Sequence, residues 1–321
     1  MTFPTSAAIA EAATRITALA RRTPIEPSTL LAQDGVQVFL KMECWQTTGS
    51  FKIRGALNRM ALLTANERAQ GIVTASAGNH AQGVAASAVH LHIPATIVVA
   101  HDASPAKVAA LRRYDPAWVT LQQMGHDYDA AEAAGIALAR DTGRTFVSPY
   151  DDPAVIAGQG TVALELLADL PDLDAILVPV GGGGLAAGIA LWAHHVNPAI
   201  QVIGVQSEAS PPMHAARAAG HLVTVPILPS LADGLAGNIA ADSITFPLCQ
   251  RELSEVVLVS EEAIAEAMRW LVAEHQVLVE GSGAVGIAAL RSGRVIPPPG
   301  SRVAVILSGR NVTLDRLRDV L

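Results

Sequence analysis

The run Ala175-Ile176-Leu177-Val178-Pro179-Val180-Gly181-Gly182-Gly183-Gly184-Leu185-Ala186-Ala187-Gly188-Ile189-Ala190-Leu191-Trp192-Ala193 decides how the chain is read. It holds 19 residues and no charge, close to the roughly 20 that a membrane-spanning helix needs. Its interior argues against a span. Pro179 and four successive glycines interrupt a helix, since proline lacks a donor and glycine loses the most backbone entropy on ordering. A buried strand, a tight loop and a buried helix account for the whole run.

The same alternation continues outward in both directions. Apolar, β-branched runs predict strands at Val38–Met42, Ile72–Ser76, Ala95–Ala100, Trp118–Leu121, Thr145–Ser148, Ile176–Val180, Val202–Gln206, Glu255–Val259 and Val303–Leu307. Between them, helical patterns cover Ala8–Leu19, Gly55–Leu63, His80–His90, Asp127–Arg140, Val155–Leu170, Leu185–His195, Glu261–Glu274 and Gly283–Leu290. Apolar strands alternating with helices specify an α/β fold with doubly wound parallel sheets. The 321 residues allow two such domains.

Ligands in these sheets bind beyond the carboxyl ends of strands. Three of the expected strands run into small, polar or glycine-rich segments there: Ala77-Gly78-Asn79-His80, Gly181 to Gly184, and Ser308-Gly309-Arg310-Asn311.

Composition narrows the function. The net charge of -7 and the absence of a basic cluster disfavour nucleic acid. The two cysteines, Cys44 and Cys249, make neither a disulfide framework nor a zinc pattern, which fits a reduced cytoplasmic setting. The first residues lack a basic start followed by an apolar core, so no signal peptide is expected. The histidines show no metal-binding spacing, and His194-His195 reads as a solvated pair at a helix end.

Of 22 basic residues only Lys41, Lys52 and Lys107 are lysines. Amine chemistry needs a group that can lose its proton, which arginine does not. Lys41 lies within a strand pattern and Lys107 early in a helical one. Lys52 sits between a Thr-Thr-Gly-Ser turn and a helix, where a side chain can enter a cleft. A surface lysine near a helix start would look the same from placement alone.

The four glycines let a backbone approach a phosphate, with amides and a helix N-terminus supplying positive field. A plain tight turn is the simpler reading. A third is dinucleotide binding: Gly181, Gly183 and Ala186 fit the looser fingerprint, and Glu208 follows where a ribose-binding acid would stand. That would make the protein a nicotinamide-dependent oxidoreductase, although nothing nearby supplies a hydride-transfer site.

Six runs occur in order. They are Thr48-Gly49-Ser50-Phe51-Lys52-Ile53-Arg54-Gly55-Ala56, Ser76-Ala77-Gly78-Asn79-His80-Ala81-Gln82-Gly83, Val155-Ile156-Ala157-Gly158-Gln159-Gly160-Thr161, Gly181 to Leu185, Ala232-Asp233-Gly234 and Ser308-Gly309. Together they resemble the threonine/serine dehydratase and serine racemase family of pyridoxal phosphate enzymes, which has the tryptophan-synthase-β-like fold, fold type II. The resemblance implies a large cofactor-binding domain of residues 1–67 and 149–321 and a small domain of residues 68–148. It also implies a homodimer with a small amino-acid substrate and no membrane or nucleic-acid partner.

The resemblance assigns roles residue by residue. Lys52 would be the Schiff-base lysine and the base at Cα, with Phe51 beside the cofactor. Gly181, Gly182, Gly183, Gly184 and Leu185 would cradle the phosphate. Asn79 would bond the phenolic oxygen, Ser308 would face the pyridine nitrogen, and Gly234 would offer backbone contact. Ser76, Ala77, Gly78, Asn79 and His80 would hold the substrate carboxylate. Glu280-Gly281-Ser282-Gly283 would lie near the ring or simply open a helix. The implied reaction converts a β-hydroxy amino acid such as L-threonine or L-serine, through an aminoacrylate, to a 2-oxo acid and ammonia. Serine racemase is the alternative, as is a dehydratase for 3-hydroxyaspartate or phenylserine.

Departures from the family pattern refine this. Racemases of the family carry a second serine in the asparagine loop to serve the other face of Cα. Here that position is Ala77, which has no proton to exchange. Some members bind a divalent cation through a Glu and an Asp six residues later. Here Glu208 is followed at that distance by His214, a poor partner for a hard, oxygen-seeking ion. The chain runs only a short way past Asn311, so a C-terminal regulatory domain and feedback by isoleucine are not expected.

Overall fold

A computed structural model describes residues 2–321. Ten strands form in chain order: β1 Ile25–Pro27, β2 Gln37–Lys41, β3 Ile72–Ala75, β4 Ala95–Val99, β5 Val119–Gln123, β6 Thr145–Phe146, β7 Ala175–Pro179, β8 Gln201–Ser207, β9 Glu255–Val259 and β10 Arg302–Ile306. They make two sheets. The larger has the order β1-β2-β10-β7-β8-β9 and is parallel except where β1 pairs with β2. The smaller, β5-β4-β3-β6, is parallel throughout. Two doubly wound α/β sheets are thus present, as expected.

The apolar character of the inner strands reflects helices on both faces. On one side of the large sheet, helices Glu261–His275 and Gly281–Arg291 bury Ile264, Leu271, Val285 and Ile287 against β2, β8 and β10. On the other, helices Pro153–Asp169 and Gly184–Val196 bury Ile156, Val162 and Ile189 against β7. The small sheet is likewise covered on two faces. Helix Lys52–Ala61 crosses helix Pro153–Asp169 almost backbone to backbone: a Cβ on Gly158 would stand 2.6 Å from the Arg54 carbonyl oxygen.

All nine expected strands and eight expected helices form, with ends shifted by a few residues. β1 carries no strand signal in the sequence because it is three residues long, ends in proline and lies at an edge, where proline's missing donor does no harm. The helices at Ala65–Gln70, Pro105–Leu111, Pro212–Ala219, Thr245–Glu252 and Leu314–Val320 have at most eight residues, too few for a clear period. His194 corrects one expectation. It is only partly exposed, while His195 is exposed as expected: the His194 Nδ1 meets Glu252 Oε2 at 2.8 Å and its Nε2 meets the Ile200 carbonyl oxygen at 3.2 Å. The helix that carries it packs against helix Thr245–Glu252, which brings the carboxylate within reach.

Candidate active site

A cavity of about 820 Å³ opens beyond the carboxyl ends of β3, β7 and β10. Every residue expected to meet cofactor or substrate lines it, from Phe51 and Lys52 to Ser308. Glu208 is the exception.

Lys52 opens helix Lys52–Ala61 and is held by the end of β10. The Phe51 N–H donates to the Ser308 carbonyl at 3.1 Å, and Ser50 bridges Gly309. The Lys52 Nζ donates to the Pro149 carbonyl oxygen at 2.7 Å. The side chain is partly exposed, but to the cavity. Desolvation pushes its pKa down to about 8, against the weaker upward pull of Glu280. The other two lysines are committed elsewhere. Lys41 is fully buried and pairs with Glu165 at 2.7 Å, while Lys107 pairs with Asp233 at 2.7 Å at the cavity wall.

Two residues past Lys52, Arg54 fixes the helix to its surroundings. It is fully buried and bonds both oxygens of Glu43, also fully buried, and both oxygens of Glu165. Lys41 completes the network, giving two cations and two anions in the interior behind the cavity.

The glycine loop joins β7 to helix Gly184–Val196. A Cβ on Gly182 would stand 2.5 Å from Cγ of the Tyr150 ring, and one on Gly184 would stand 2.8 Å from the Tyr150 carbonyl oxygen. Gly183 has φ +90°, in the left-handed region. Thr245 Oγ1 donates to the Gly182 carbonyl at 2.6 Å, and Cys249 Sγ contacts the Gly183 carbonyl oxygen. Those carbonyls point away from the cavity toward helix Thr245–Glu252. Across trans peptides the N–H groups of Gly183 and Gly184 point the other way. A loop stripped of side chains, with amides turned inward at the start of a helix, fits a phosphate.

In the asparagine loop, Asn79 begins helix Asn79–Leu91 and its Nδ2 donates to Glu280 Oε1 at 2.6 Å. His80 is buried, and its Nε2–H donates to the Val147 carbonyl at 3.1 Å. Desolvation and the nearby Lys52 push its pKa down to about 3. The ring is therefore neutral, and Nδ1 is a buried acceptor without a partner. What His80 can offer a carboxylate is its backbone N–H, because first-turn amides of a helix lack intrahelical acceptors. Ser308 Oγ is buried and 3.5 Å from the Ser282 carbonyl oxygen, a loose contact that leaves the hydroxyl free for a ligand. The Gly234 N–H is taken by Ser282 Oγ at 3.0 Å, so Gly234 has its carbonyl left to offer.

Further groups complete the lining. Glu280 precedes helix Gly281–Arg291 as N-cap and lines the cavity. Burial pushes its pKa up to about 7. Tyr150, helix Tyr128–Asp141 and the segment 235–238 complete the wall. The Tyr150 hydroxyl accepts from the Ala240 N–H at 3.2 Å, tying the chain just beyond that segment to the loop after β6.

Glu208 stands outside. Its half-exposed carboxylate pairs with Arg294 at 3.1 Å, and His214 Nδ1 is bound to the Val256 carbonyl at 2.7 Å. Among the described residues there is no group of three or more His, Cys, Asp or Glu placed to hold a metal ion. The same displacement leaves the dinucleotide reading without its ribose-binding acid.

Comparison with known proteins agrees with this geometry. The pyridoxal-phosphate dependent enzyme family matches residues 16–309. The L-threonine ammonia-lyase of Thermotoga maritima is 42% identical over 314 residues, covering 98% of this chain and 77% of the relative. The catabolic L-threonine dehydratase TdcB of Escherichia coli K12 is 42% identical over 285 residues, 88% of this chain and 85% of the relative. The solved structure of maize serine racemase superposes with a TM-score of 0.92 at 34% identity, covering 99% of this chain and 97% of that one. With fold type II architecture, a phosphate-shaped glycine loop and one unpaired lysine at a shared cavity, the chain belongs to the family of pyridoxal-phosphate dependent enzymes.

Proposed function

We propose that the protein is an ammonia-lyase that converts a β-hydroxy amino acid, L-threonine or L-serine, to a 2-oxo acid and ammonia. The observation that carries this reading is a contrast within one cavity. Lys52 offers an amine whose pKa is drawn down to about 8, and Ala77 offers only a methyl group where a second base would be needed for racemisation.

Lys52 would bind the cofactor aldehyde and, once released by the substrate amine, take the proton from Cα. The amides from Gly181 to Leu185 would hold the phosphate, Asn79 the phenolic oxygen and Ser308 the ring nitrogen, with Phe51 and Gly234 alongside. The loop from Ser76 to His80 would receive the substrate carboxylate. When bound, pyridoxal phosphate supplies the conjugated ring that accepts the electron pair released at Cα. The Ser308 hydroxyl, unlike a carboxylate, does not force protonation of the ring nitrogen. This favours departure of the β-hydroxyl as the Cα proton leaves.

Charge along the cavity wall bears on the substrate. Asp102, Asp127, Asp129, Glu132, Asp233 and Glu280 line it, against Lys52 and Lys107. That excess of carboxylates disfavours a second carboxylate on the substrate, as in 3-hydroxyaspartate, and favours the neutral side chains of threonine and serine.

The reading extends to a cytoplasmic homodimer whose residues 68–148 form the small domain. In its support, all four strands of the smaller sheet lie between Ile72 and Phe146, and Cys44 and Cys249 are free and buried. No helix among the described residues is long and apolar enough to cross a membrane. Release of 2-oxo acid and ammonia from a panel of β-hydroxy amino acids tests the activity. Turnover of threonine or serine, lost in Lys52→Ala, is expected; release that survives Lys52→Ala would refute it. Light scattering should give twice the chain mass.

A further inference from the structure

The segment after β10 brings a side chain behind the cavity wall, against the lining residue Asn79. Asn311 Nδ2 donates to the Thr48 carbonyl at 2.9 Å and to Asn79 Oδ1 at 2.6 Å. An amide nitrogen carries two hydrogens, so both are used. The two ends of an asparagine amide are nearly equal in shape, and hydrogen bonds decide which way it faces. At Asn79 the decision is complete. Oδ1 is occupied by Asn311, Nδ2 donates to Glu280 Oε1 at 2.6 Å, and one N–H remains. Gly49 makes the approach feasible: a Cβ there would stand 2.6 Å from Asn311 Oδ1, and the Arg310 N–H ties the two segments together at the Gly49 carbonyl, 2.9 Å away.

We propose that Asn311 is a positioning residue that fixes the Asn79 amide with its nitrogen toward the cavity, so that Asn79 presents the cofactor's phenolic oxygen with a donor and never an acceptor. This rests on Asn79 contacting that oxygen, as proposed above. Substituting Asn311→Asp would place a second acceptor against Asn79 Oδ1. The Asn79 amide would then turn over, and its oxygen would face the oxygen it is meant to bind.

The test is a double-mutant cycle read by cofactor binding rather than turnover. Cofactor-depleted full-length protein is titrated with pyridoxal phosphate, and the visible absorption band reports the dissociation constant. Asn311→Asp should weaken binding about tenfold, the scale of losing one hydrogen bond to a charged oxygen. In an Asn79→Ala background the same substitution should change binding less than about twofold. Equal losses in both backgrounds would show that Asn311 acts only on the local chain path and would overturn the proposal. If Asn79→Ala alone leaves binding unchanged, the reading of Asn79 fails first, and the proposal with it. Thermal melts check folding. Should Asn311→Asp not fold, Asn311→Ala runs through the same cycle with an expected loss of about threefold.

Discussion

The ammonium of Lys52 is held by the backbone carbonyl of Pro149, 2.7 Å away, and by no carboxylate. A neutral partner orients the amine without retaining its proton. The amine is therefore ready for chemistry, and burying it weakens the fold.

That weakening depends on pH. Burial lowers the folded-state pKa of Lys52 from the ordinary 10.5 to about 8. Between those values the unfolded chain binds a proton that the folded chain does not, so stability rises with pH across that window and the penalty is fully present below 8. In cofactor-free protein, Lys52→Met should raise Tm most at or below pH 8, with the gain shrinking toward pH 10. Thermal melts across a pH series check it, and a gain independent of pH would point to packing instead.

The methyl of Ala77 sets the balance between elimination and racemisation. Ala77→Ser adds a proton-exchanging hydroxyl to the asparagine loop. The ratio of D-serine formed to pyruvate released from L-serine should rise by about tenfold or more. Chiral chromatography alongside 2-oxo acid detection gives the ratio, and an unchanged value would remove Ala77 from the account.

The glycine loop leaves no room at Gly182. A Cβ there would meet the Tyr150 ring at 2.5 Å. Gly182→Ala should cost about 1–3 kcal/mol in stability through overpacking and weaken cofactor binding at the same time. In a Tyr150→Ala background the stability penalty should shrink. Urea denaturation of the four proteins in that cycle measures it.

Arg54 and Glu43 are both fully buried and joined by two hydrogen bonds of 2.8 Å. Arg54→Leu leaves Glu43 and Glu165 with Lys41 as their remaining cation, and breaking such a buried pair costs about 3–5 kcal/mol. Chemical denaturation should show that loss. Glu165→Gln, which keeps the hydrogen-bonding shape at a position 12% exposed, should cost less.

Much of this arrangement was readable in the chain, for reasons particular residues make plain. β7 and its glycine loop are written contiguously, because a strand, a tight turn and a helix start are local events. Lys52 stood out because lysine is scarce and its neighbours form a recognisable run. The hydrogen bonds that orient Asn79 were not readable, since Glu280 and Asn311 lie 201 and 232 residues away along the chain. His80 was legible as a member of its loop, but not as a neutral ring, which follows from burial and the nearby Lys52. Glu208 illustrates the converse. A sequence position suited to a ribose or a cation is turned aside by Arg294, contributed by a segment 86 residues on.

The place of β10 in the large sheet has a consequence for how the protein comes into being. It is the last of the ten described strands in chain order, yet it lies between β2 and β7, paired with both. Until it arrives, those two strands are unpaired edges facing an empty slot, the kind of surface that recruits other chains. Lys52 and the glycine loop, which follow β2 and β7, have nothing to hold them at their working separation. A nascent chain therefore has no partial site with which to capture its cofactor early. Loading waits until β10 has emerged, and a chain interrupted before Ile306 forfeits the entire site rather than one corner of it.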